Sequence, residues 1–281
     1  MKLLTITEQQ DGDAFTFYDN ALGTILRGFE GFEYSTVRES IDDVAGPYGS
    51  TYITSKFGRR RVAITGDLIS DDVFSLRRDL VKALRQTGTM KLVTFTTYDD
   101  LNLQFEGEVV KVANPYTHKT HTFLIEIIAP DWRFYSQEET TANILLSFVR
   151  GGAEIPATIP MAITENINTD VDLTEVVTNE GSEMTDPIFT ISGPGTDIIV
   201  RNETTEQEFT INTTLVTDDV LVIDVKNRTV VLNGTDNYYP FIDGDFWSLV
   251  PGENEIRFFA DGFEIDVTAL QITYRHAYGG I

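Results

Sequence analysis

The chain has 281 residues, 41% hydrophobic and 11% aromatic, which is enough apolar material for two ordinary domains with separate cores. It contains no cysteine, which excludes disulfide frameworks and thiolate metal sites. Its net charge of −23 is uneven, since residues 1–138 carry 15 basic and 20 acidic side chains and residues 139–281 carry 6 and 24. So acidic a second half would repel phosphate backbones, and sequence-specific nucleic-acid binding is not expected.

The N-terminus lacks the features of a signal peptide. Its first ten residues, MKLLTITEQQ, contain one lysine and only two consecutive leucines before polar sequence begins. No apolar run approaches the roughly 18 residues that a membrane span requires. We therefore expect a soluble protein, made in the cytoplasm, that does not insert into a membrane.

The first half begins with short predicted strands, followed by a segment from Val44 to Leu68 with turn signals at Gly46-Pro47 and Gly58. This segment predicts a long hairpin. Its aromatic and basic residues exceed what a small barrel needs to close, so an arm that contacts a neighbouring subunit is one hypothesis. The alternative is a solvated hairpin packed on its own domain. The residues proposed for inter-subunit contact are Arg38, Tyr48, Tyr52, Phe57, Arg59, Arg60 and Arg61.

A single helix is predicted over residues 70–87. Its apolar residues recur at steps of three and four, and Ser70 is expected to cap its start while Gly88 ends it. The apolar stripe must pack on a sheet, because almost all other sequence favours strands. The stripe consists of Val73, Leu76, Leu80 and Leu84, with Phe74 and Val81 beside them.

The order of strands, one helix and more strands predicts a β-barrel or α+β domain with a packed helix over residues 1–137. It ends in the aromatic segment APDWRFYS, which we expect to close the core. Residues 138–186 are looser, and they either connect two domains or supply the first strands of the second. From Ile188 onward, many short strands separated by Gly, Pro and Asn turns predict an antiparallel β-sandwich, which gives a second domain over residues 138–281.

No motif in the sequence carries recognisable chemistry. The turn Gly193-Pro194-Gly195 has neither the third glycine nor the following helix of a phosphate-binding loop. His118 and His121 would lie on opposite faces of a strand, unlike the ligands of a metal-binding helix. We therefore predict no enzymatic activity, no metal and no cofactor.

Four N-x-Ser/Thr triplets, beginning at Asn202, Asn212, Asn227 and Asn233, are interpreted as turn asparagines beside strand threonines rather than glycan sites. The aromatic residues near the C-terminus leave two interpretations open. Tyr238, Tyr239 and Trp247 could stack on sugar rings, or they could pack within or between sheets.

The C-terminal third resembles a known family. It contains a proline-led strand and Gly-x-Gly turn in DPIFTISGPGTDIIVRN, then VLVIDVKNRTVVLNG, an aromatic DFWSLVPGENEI, and a final ITYRHAY. This succession resembles the C-terminal domain of distal tail proteins from bacteriophages with long, non-contractile tails. Residues 186–276 are the specific part of the resemblance, whereas the N-terminal half is similar in element order only.

The resemblance implies a mainly β fold: a tail-tube-like β-barrel or split sandwich with one packed helix, then a galectin-like antiparallel β-sandwich. It also implies a structural virion protein at the distal tail tip, a hexameric ring hub in one or two stacked rings whose pore lets DNA pass without specific binding. The implied partners are the tail tube, tape-measure and tail-associated tip proteins, with receptor-binding proteins in some members. The alternative is a carbohydrate-binding adsorption protein that acts through the C-terminal sandwich.

Overall fold

In the computed structural model, the chain forms two compact units: Met1–Glu138 together with Ala277–Ile281, and Glu139–His276. Within the described residues, no helix is both long and apolar enough to cross a membrane. The structure describes residues 3–8, 13–18, 24–35, 37–43, 50–85, 88–113, 121–146 and 173–281.

In the part of the chain that the structure describes, the first unit is built from antiparallel strands and one helix. Its elements are β1 (Leu3–Glu8), β2 (Ala14–Tyr18), β3 (Thr24–Glu30), β4 (Val37–Asp43), β5 (Ser50–Phe57), β6 (Arg60–Leu68), α1 (Val73–Ala83), β7 (Lys91–Thr96), β8 (Asn102–Ala113), β9 (Thr122–Ala129) and β10 (Phe134–Ser136). The main sheet has the order β2-β1-β7-β8-β9-β6-β3, and β10 also pairs with β8. Since no pairing joins β2 to β3 among the described residues, the described sheet is open rather than a closed barrel.

Strand β8 joins the two halves of this sheet. Residues 102–107 pair with β7, and the strand then pairs with β9 from Glu108 onward. The change of partner falls at Gly107, where an added Cβ would lie 2.5 Å from the Cγ2 atom of Ile127. A residue with a side chain at position 107 would therefore clash with Ile127 of β9 at the point where β8 changes its partner.

The core of the first unit follows from strand alternation. In β7 and β9 every second residue is buried, as the period of two requires for a sheet with one face on the core. Four phenylalanines, Phe32, Phe95, Phe105 and Phe134, pack together there with ring centroids 5.2–6.5 Å apart. Helix α1 covers this core with Leu80, Ala83 and Leu84, all of which are buried.

The helix is shorter than predicted, and its apolar residues divide between two faces. It begins at Val73 because Asp72, not Ser70, caps it: the Asp72 carboxylate accepts a hydrogen bond from the Ser75 amide at 3.0 Å. Leu80 and Leu84 are buried as the stripe predicted. Phe74 and Val81 instead point outward and are 56% and 51% exposed.

The second unit is an antiparallel sandwich, as predicted. Its elements are β11 (Thr140–Leu145), β12 (Leu173–Asn179), β13 (Ile188–Ser192), β14 (Thr196–Asn202), β15 (Gln207–Ile211), β16 (Val220–Asp224), β17 (Thr229–Leu232), β18 (Asp236–Asn237), the 3-10 turn Tyr239–Phe241, β19 (Ile242–Gly244), β20 (Gly252–Asp261) and β21 (Ala269–Tyr274). One sheet has the order β11-β21-β13-β16-β17-β18 and the other β12-β20-β14-β15-β19. Their inner faces share one apolar core around Phe189, Phe209 and Trp247. The mainly β class is thereby confirmed.

The final strand of the chain, β22 (Ala277–Tyr278), belongs to the first unit, where it pairs with β10.

Neutral amides organise the loops of the second unit. The fully buried side chain of Asn254 accepts hydrogen bonds from Asn202 Nδ2 and the Val250 amide, and it donates to the carbonyls of Val250 and Gly252. Asn202, also fully buried, accepts from the amides that follow it. Asn202 therefore has a structural role, and its side chain is inaccessible to a glycan.

Candidate interaction surfaces

The structure contains a hairpin of β4 and β5, which differs from the hairpin predicted over residues 44–68: the first strand precedes that segment, and β6, at its end, pairs with β3 and β9 in the main sheet. Strands β4 and β5 pair from Val37↔Phe57 to Asp43↔Ser50 and form a two-stranded sheet with no described pairing to the main sheet. Of the residues proposed for inter-subunit contact, Arg38 lies in β4, Tyr52 lies in β5, and Tyr48 is outside the described residues. That the hairpin contacts a neighbouring subunit stays a prediction.

An aromatic stack marks the base of this hairpin. The ring of Phe57, which is 44% exposed, lies 3.9 Å from the Trp132 ring at an angle of 14°. Of the flanking arginines, Arg59 is exposed and Arg61 lies 3.6 Å from the Glu126 carboxylate. The base of the hairpin therefore presents an apolar stack with cationic side chains nearby.

Arg60 is buried, in contrast to its two neighbours. Only 1% of its surface is exposed, and its guanidinium lies 4.0 Å from the centre of the Phe134 ring. Burial lowers the pKa of Arg60 to about 10, against the opposing effect of Glu33 and Asp131, so the side chain is charged at neutral pH. Its N–H groups donate to the backbone carbonyls of Gly31, Glu33, Trp132 and Gly279.

This arginine node holds together four segments of the first unit that are distant in sequence. Position 31 requires glycine, because its φ is +83° and an added Cβ would lie 1.9 Å from the Arg61 carbonyl oxygen. Arg60 was proposed as an inter-subunit contact, but the structure uses it inside its own unit. Strand alternation could have revealed this, because Arg60 has the same parity in β6 as the buried Val62 and Ile64.

A second polar cluster lies in the APDWRFYS segment, which closes the core as predicted. The Asp131 carboxylate accepts hydrogen bonds from the Arg133 amide at 3.1 Å, the Arg133 guanidinium at 3.2 Å and the Tyr135 hydroxyl at 2.6 Å. Burial works to raise the pKa of Asp131, but the bonds from Arg133 and Tyr135 outweigh it and hold that pKa below its usual value. The cluster fixes the turn that carries Trp132.

The aromatic residues of the second unit separate into core and surface. Trp247 is 1% exposed and lies 4.8 Å from Phe189, so it is a core residue and is not presented to a sugar. Tyr238 is partly buried against the core. Tyr239 is 48% exposed and its ring stacks on Phe246 at 5.8 Å.

Acidic residues lie close in sequence to the exposed aromatic rings. Phe241, Asp243 and Asp245 are exposed, whereas Ile242 packs on the core. We call this surface the acidic aromatic patch; it consists of Tyr239, Phe241, Asp243, Asp245 and Phe246. Among the described residues, no group of three or more His, Cys, Asp or Glu side chains is arranged to hold a metal ion.

The comparisons with known proteins agree with this architecture. Residues 180–278 match the family model of the siphovirus-type tail component, C-terminal domain. Residues 180–278 are therefore similar to the C-terminal domain of siphovirus-type tail components, and the resemblance predicted from the sequence for this part of the chain is confirmed. No curated protein matches the chain.

Solved structures extend the likeness to the whole chain. The SPP1 Dit protein, described as a paradigm of the hub adsorption apparatus in phages that infect Gram-positive bacteria, is 14% identical with a TM-score of 0.67, and 98% of each chain is covered. At this identity the match shows a shared fold. Chains of the phage p2 baseplate in its activated conformation also match at 14% identity, with strontium (TM-score 0.44, 97% of each chain) or calcium (0.42, 98% of this chain and 97% of that chain).

Proposed function

We propose that this protein is the ring hub at the distal tip of a long, non-contractile phage tail. In this proposal six copies assemble through their first units, join the tail tube to the tip proteins, and leave a pore for DNA. The observation that carries it is the tail-component domain over residues 180–278, within a chain whose entire fold resembles SPP1 Dit. The role is structural, and the proposed location is the virion.

Two features of the molecule support the proposal. The β4–β5 hairpin has no described pairing to the main sheet, so its outer strand edges can pair with a neighbour, and the Phe57–Trp132 stack at its base supplies apolar surface. The excess of acidic residues also suits a passage for DNA, because negative charge in or around a pore discourages DNA from adhering. Tail tube, tape-measure, tail-associated tip and receptor-binding proteins are the proposed partners.

The native mass of the purified protein tests the ring directly. We expect a six-fold or twelve-fold multiple of 31.5 kDa in native mass spectrometry, measured across a salt series. The double variant Arg59→Glu, Arg61→Glu should reduce the ring fraction, because both side chains are exposed beside the hairpin base. Arg228→Glu, at an exposed position in the second unit, is the matched control. A stable monomer that tail tube or tip protein does not assemble would refute the hub.

A second candidate, carbohydrate binding by the sandwich, rests on the stacked and exposed Tyr239–Phe246 pair, since exposed aromatic rings can stack on sugars. Binding of the full chain to host-surface glycan, lost on Tyr239→Ala, would support it. Trp247→Phe is the control, because Trp247 is buried in the core. Glycan binding that is equal in all three proteins would exclude this patch as the sugar site.

A further inference from the structure

The outward face of helix α1 combines exposed apolar and basic side chains. Phe74, Arg78 and Val81 follow one another at helical spacing and are exposed, whereas Leu80 and Ala83 of the same helix are buried. The outward residues line an open groove of about 610 Å³, which we call the basic groove; it consists of Phe74, Arg77, Arg78, Val81 and Lys82.

The basic groove is unusual in this protein for its charge. Three cationic side chains line it, in a chain of net charge −23. The Lys82 ammonium lies 3.1 Å from the Asp13 carboxylate, but its side chain is 68% exposed, and such surface pairs contribute little to stability. Phe74 and Val81, which line the same groove, expose more than half of their surface. This chemistry fits an acidic surface that also offers apolar contacts.

The same unit contains an apolar pocket at the turn that joins β7 to β8. Its volume is about 520 Å³, and its lining includes the buried Phe32 of the four-phenylalanine core. Tyr98 and Ile281 are 66% and 50% exposed, so both side chains are open to a partner. We call it the turn pocket; its apolar lining consists of Phe29, Phe32, Tyr98, Leu101, Tyr278 and Ile281.

The turn pocket carries the charge opposite to that of the basic groove. Asp99 lines it, Asp100 is exposed in the same turn, and none of the described residues that line the pocket is basic. Thr97 fixes the turn, because its hydroxyl donates to the Asp99 carboxylate and accepts from the Leu101 amide at 3.0 Å. The turn therefore holds a carboxylate and the Tyr98 ring at one opening before a partner arrives, which lowers the cost of binding.

The two surfaces complement each other in charge and in apolar contact. Val81 and Phe74 can pack in an apolar pocket. The cations beside them suit the carboxylates of the turn and also the exposed ring of Tyr98, because arginine and lysine bind favourably over aromatic faces. Each copy carries both surfaces within its first unit, the unit through which the copies are proposed to assemble.

We infer that the basic groove of one copy binds the turn pocket of a second copy. This inference rests on the proposed function, because it names two surfaces through which the first units meet. The surfaces differ, so a pair of copies joined in this way still has one free groove and one free pocket. A head-to-tail contact of this kind continues from copy to copy and generates a ring when the rotation between copies closes.

Site-specific cross-linking tests the contact, since the chain has no cysteine of its own. Full-length Val81→Cys protein, labelled with heavy nitrogen, is mixed with unlabelled Ile281→Cys protein and treated with a short bismaleimide. Intact mass spectrometry then quantifies the mixed cross-linked pair. We expect about five-fold more of it than in a control mixture of Val81→Cys with Val176→Cys. Val176 is a matched control, because it is 54% exposed and lies on β12 of the second unit.

Charge reversal provides the second arm. Adding Arg78→Glu and Lys82→Glu to the Val81→Cys protein should lower the yield to the control level, because like charges would then meet. Adding Asp99→Lys and Asp100→Asn to the Ile281→Cys protein should restore the yield. Asparagine is chosen at position 100 because φ there is +66°, which asparagine tolerates. The single changes Arg78→Glu and Asp99→Lys give the same test if circular dichroism shows that a double change unfolds the protein.

The variant with both Val81→Cys and Ile281→Cys distinguishes a head-to-tail contact from a reciprocal one. Head-to-tail contact should give a ladder of cross-linked species up to six copies, whereas a reciprocal contact stops at two. A yield equal to the control, a yield that charge reversal leaves unchanged, or a ladder that stops at two copies overturns the inference.

The fate of the hub is measured separately, with the cysteine-free protein in native mass spectrometry. If that protein forms rings while the cross-linking fails, the hub stands and other surfaces join its copies. A ladder without a ring of defined mass has the opposite meaning, since it supports the contact and refutes the ring.

Discussion

The two units hold their loops in place with different kinds of buried hydrogen-bonding side chain. In the first unit a charged guanidinium, that of Arg60, donates to four backbone carbonyls from three separate segments. In the second unit the neutral amides of Asn202 and Asn254 do this work. Both arrangements satisfy buried polar groups, but only the first places a full charge against an aromatic core.

This difference predicts how strongly a substitution destabilises each unit. A buried charge is stable only while its hydrogen-bond partners remain, and removing it leaves those partners buried without a hydrogen bond. A buried neutral amide has a smaller desolvation cost, so its removal should lower the free energy of unfolding by less. The first unit should therefore depend more strongly on one side chain, and on pH, than the second.

Among the buried polar side chains, the largest expected effect comes from Arg60→Met. It keeps much of the side-chain volume but leaves the carbonyls of Gly31, Glu33, Trp132 and Gly279 without their donor. We expect a loss of about 4 kcal/mol in the free energy of unfolding of the first unit, measured by urea titration with circular dichroism. Arg61→Met, at an exposed neighbour, should change it by about 0.5 kcal/mol or less. Equal effects of the two substitutions would contradict the claim that the hydrogen bonds of Arg60 stabilise the first unit.

Asn254→Ala should have an intermediate effect on the second unit. It removes the acceptor of Asn202 Nδ2 and of the Val250 amide, both in a buried environment. We expect a loss of about 2 kcal/mol by the same titration. The exposed Asn212→Ala serves as control and should be nearly neutral. A loss larger than that of Arg60→Met would reverse the comparison between the units.

Acid should weaken the first unit through Asp131. Because its pKa is depressed in the folded state, its contribution is complete above the ordinary aspartate pKa of about 3.9 and is lost as the pH falls through the lower folded value. Asp131→Asn should therefore cost about 1–2 kcal/mol at pH 6, and the difference from the parent should shrink below about pH 4. Urea titrations between pH 3 and 6 measure this. A difference that stays constant over the whole range would rule out the carboxylate as its source.

The smallest effect on stability is expected for Tyr239→Ala. Its ring is half exposed and stacks on a single neighbour, so we expect a loss of about 1 kcal/mol or less. Trp247→Ala, in the core of the same unit, should cost about 3–5 kcal/mol. Thermal unfolding of both variants measures the contrast. A Tyr239→Ala loss as large as that of Trp247→Ala would place the patch in the core rather than on a contact surface.

Much of the fold could be predicted from local patterns. Alternation and turn residues indicated the strands of the sandwich, and helical spacing identified Leu80 and Leu84 as buried. The division of the helix's apolar residues was not predictable by the same means. Phe74 and Val81 are as apolar as the stripe beside them, and only the position of the sheet decides which side of the helix is covered.

The interaction surfaces were less predictable, because they depend on contacts between distant segments. Arg59, Arg60 and Arg61 look alike in sequence, yet the carbonyls that hold Arg60 come from residues 31–33, 132 and 279. Trp247 and Tyr239 were likewise grouped as aromatic neighbours, although one is buried and the other exposed. Strand parity would have helped with Arg60, since it lies two residues before Val62.

The two tryptophans of the chain are divided between the units, and this gives the protein an internal optical reporter for each. Trp247 is sealed in the core of the second unit, so its emission should be blue-shifted and shielded from an aqueous quencher. Trp132 lies partly exposed against Phe57 at the hairpin base, where a neighbouring molecule that covers the stack would alter its emission. In a Trp247→Phe background, fluorescence would therefore follow events at the hairpin alone.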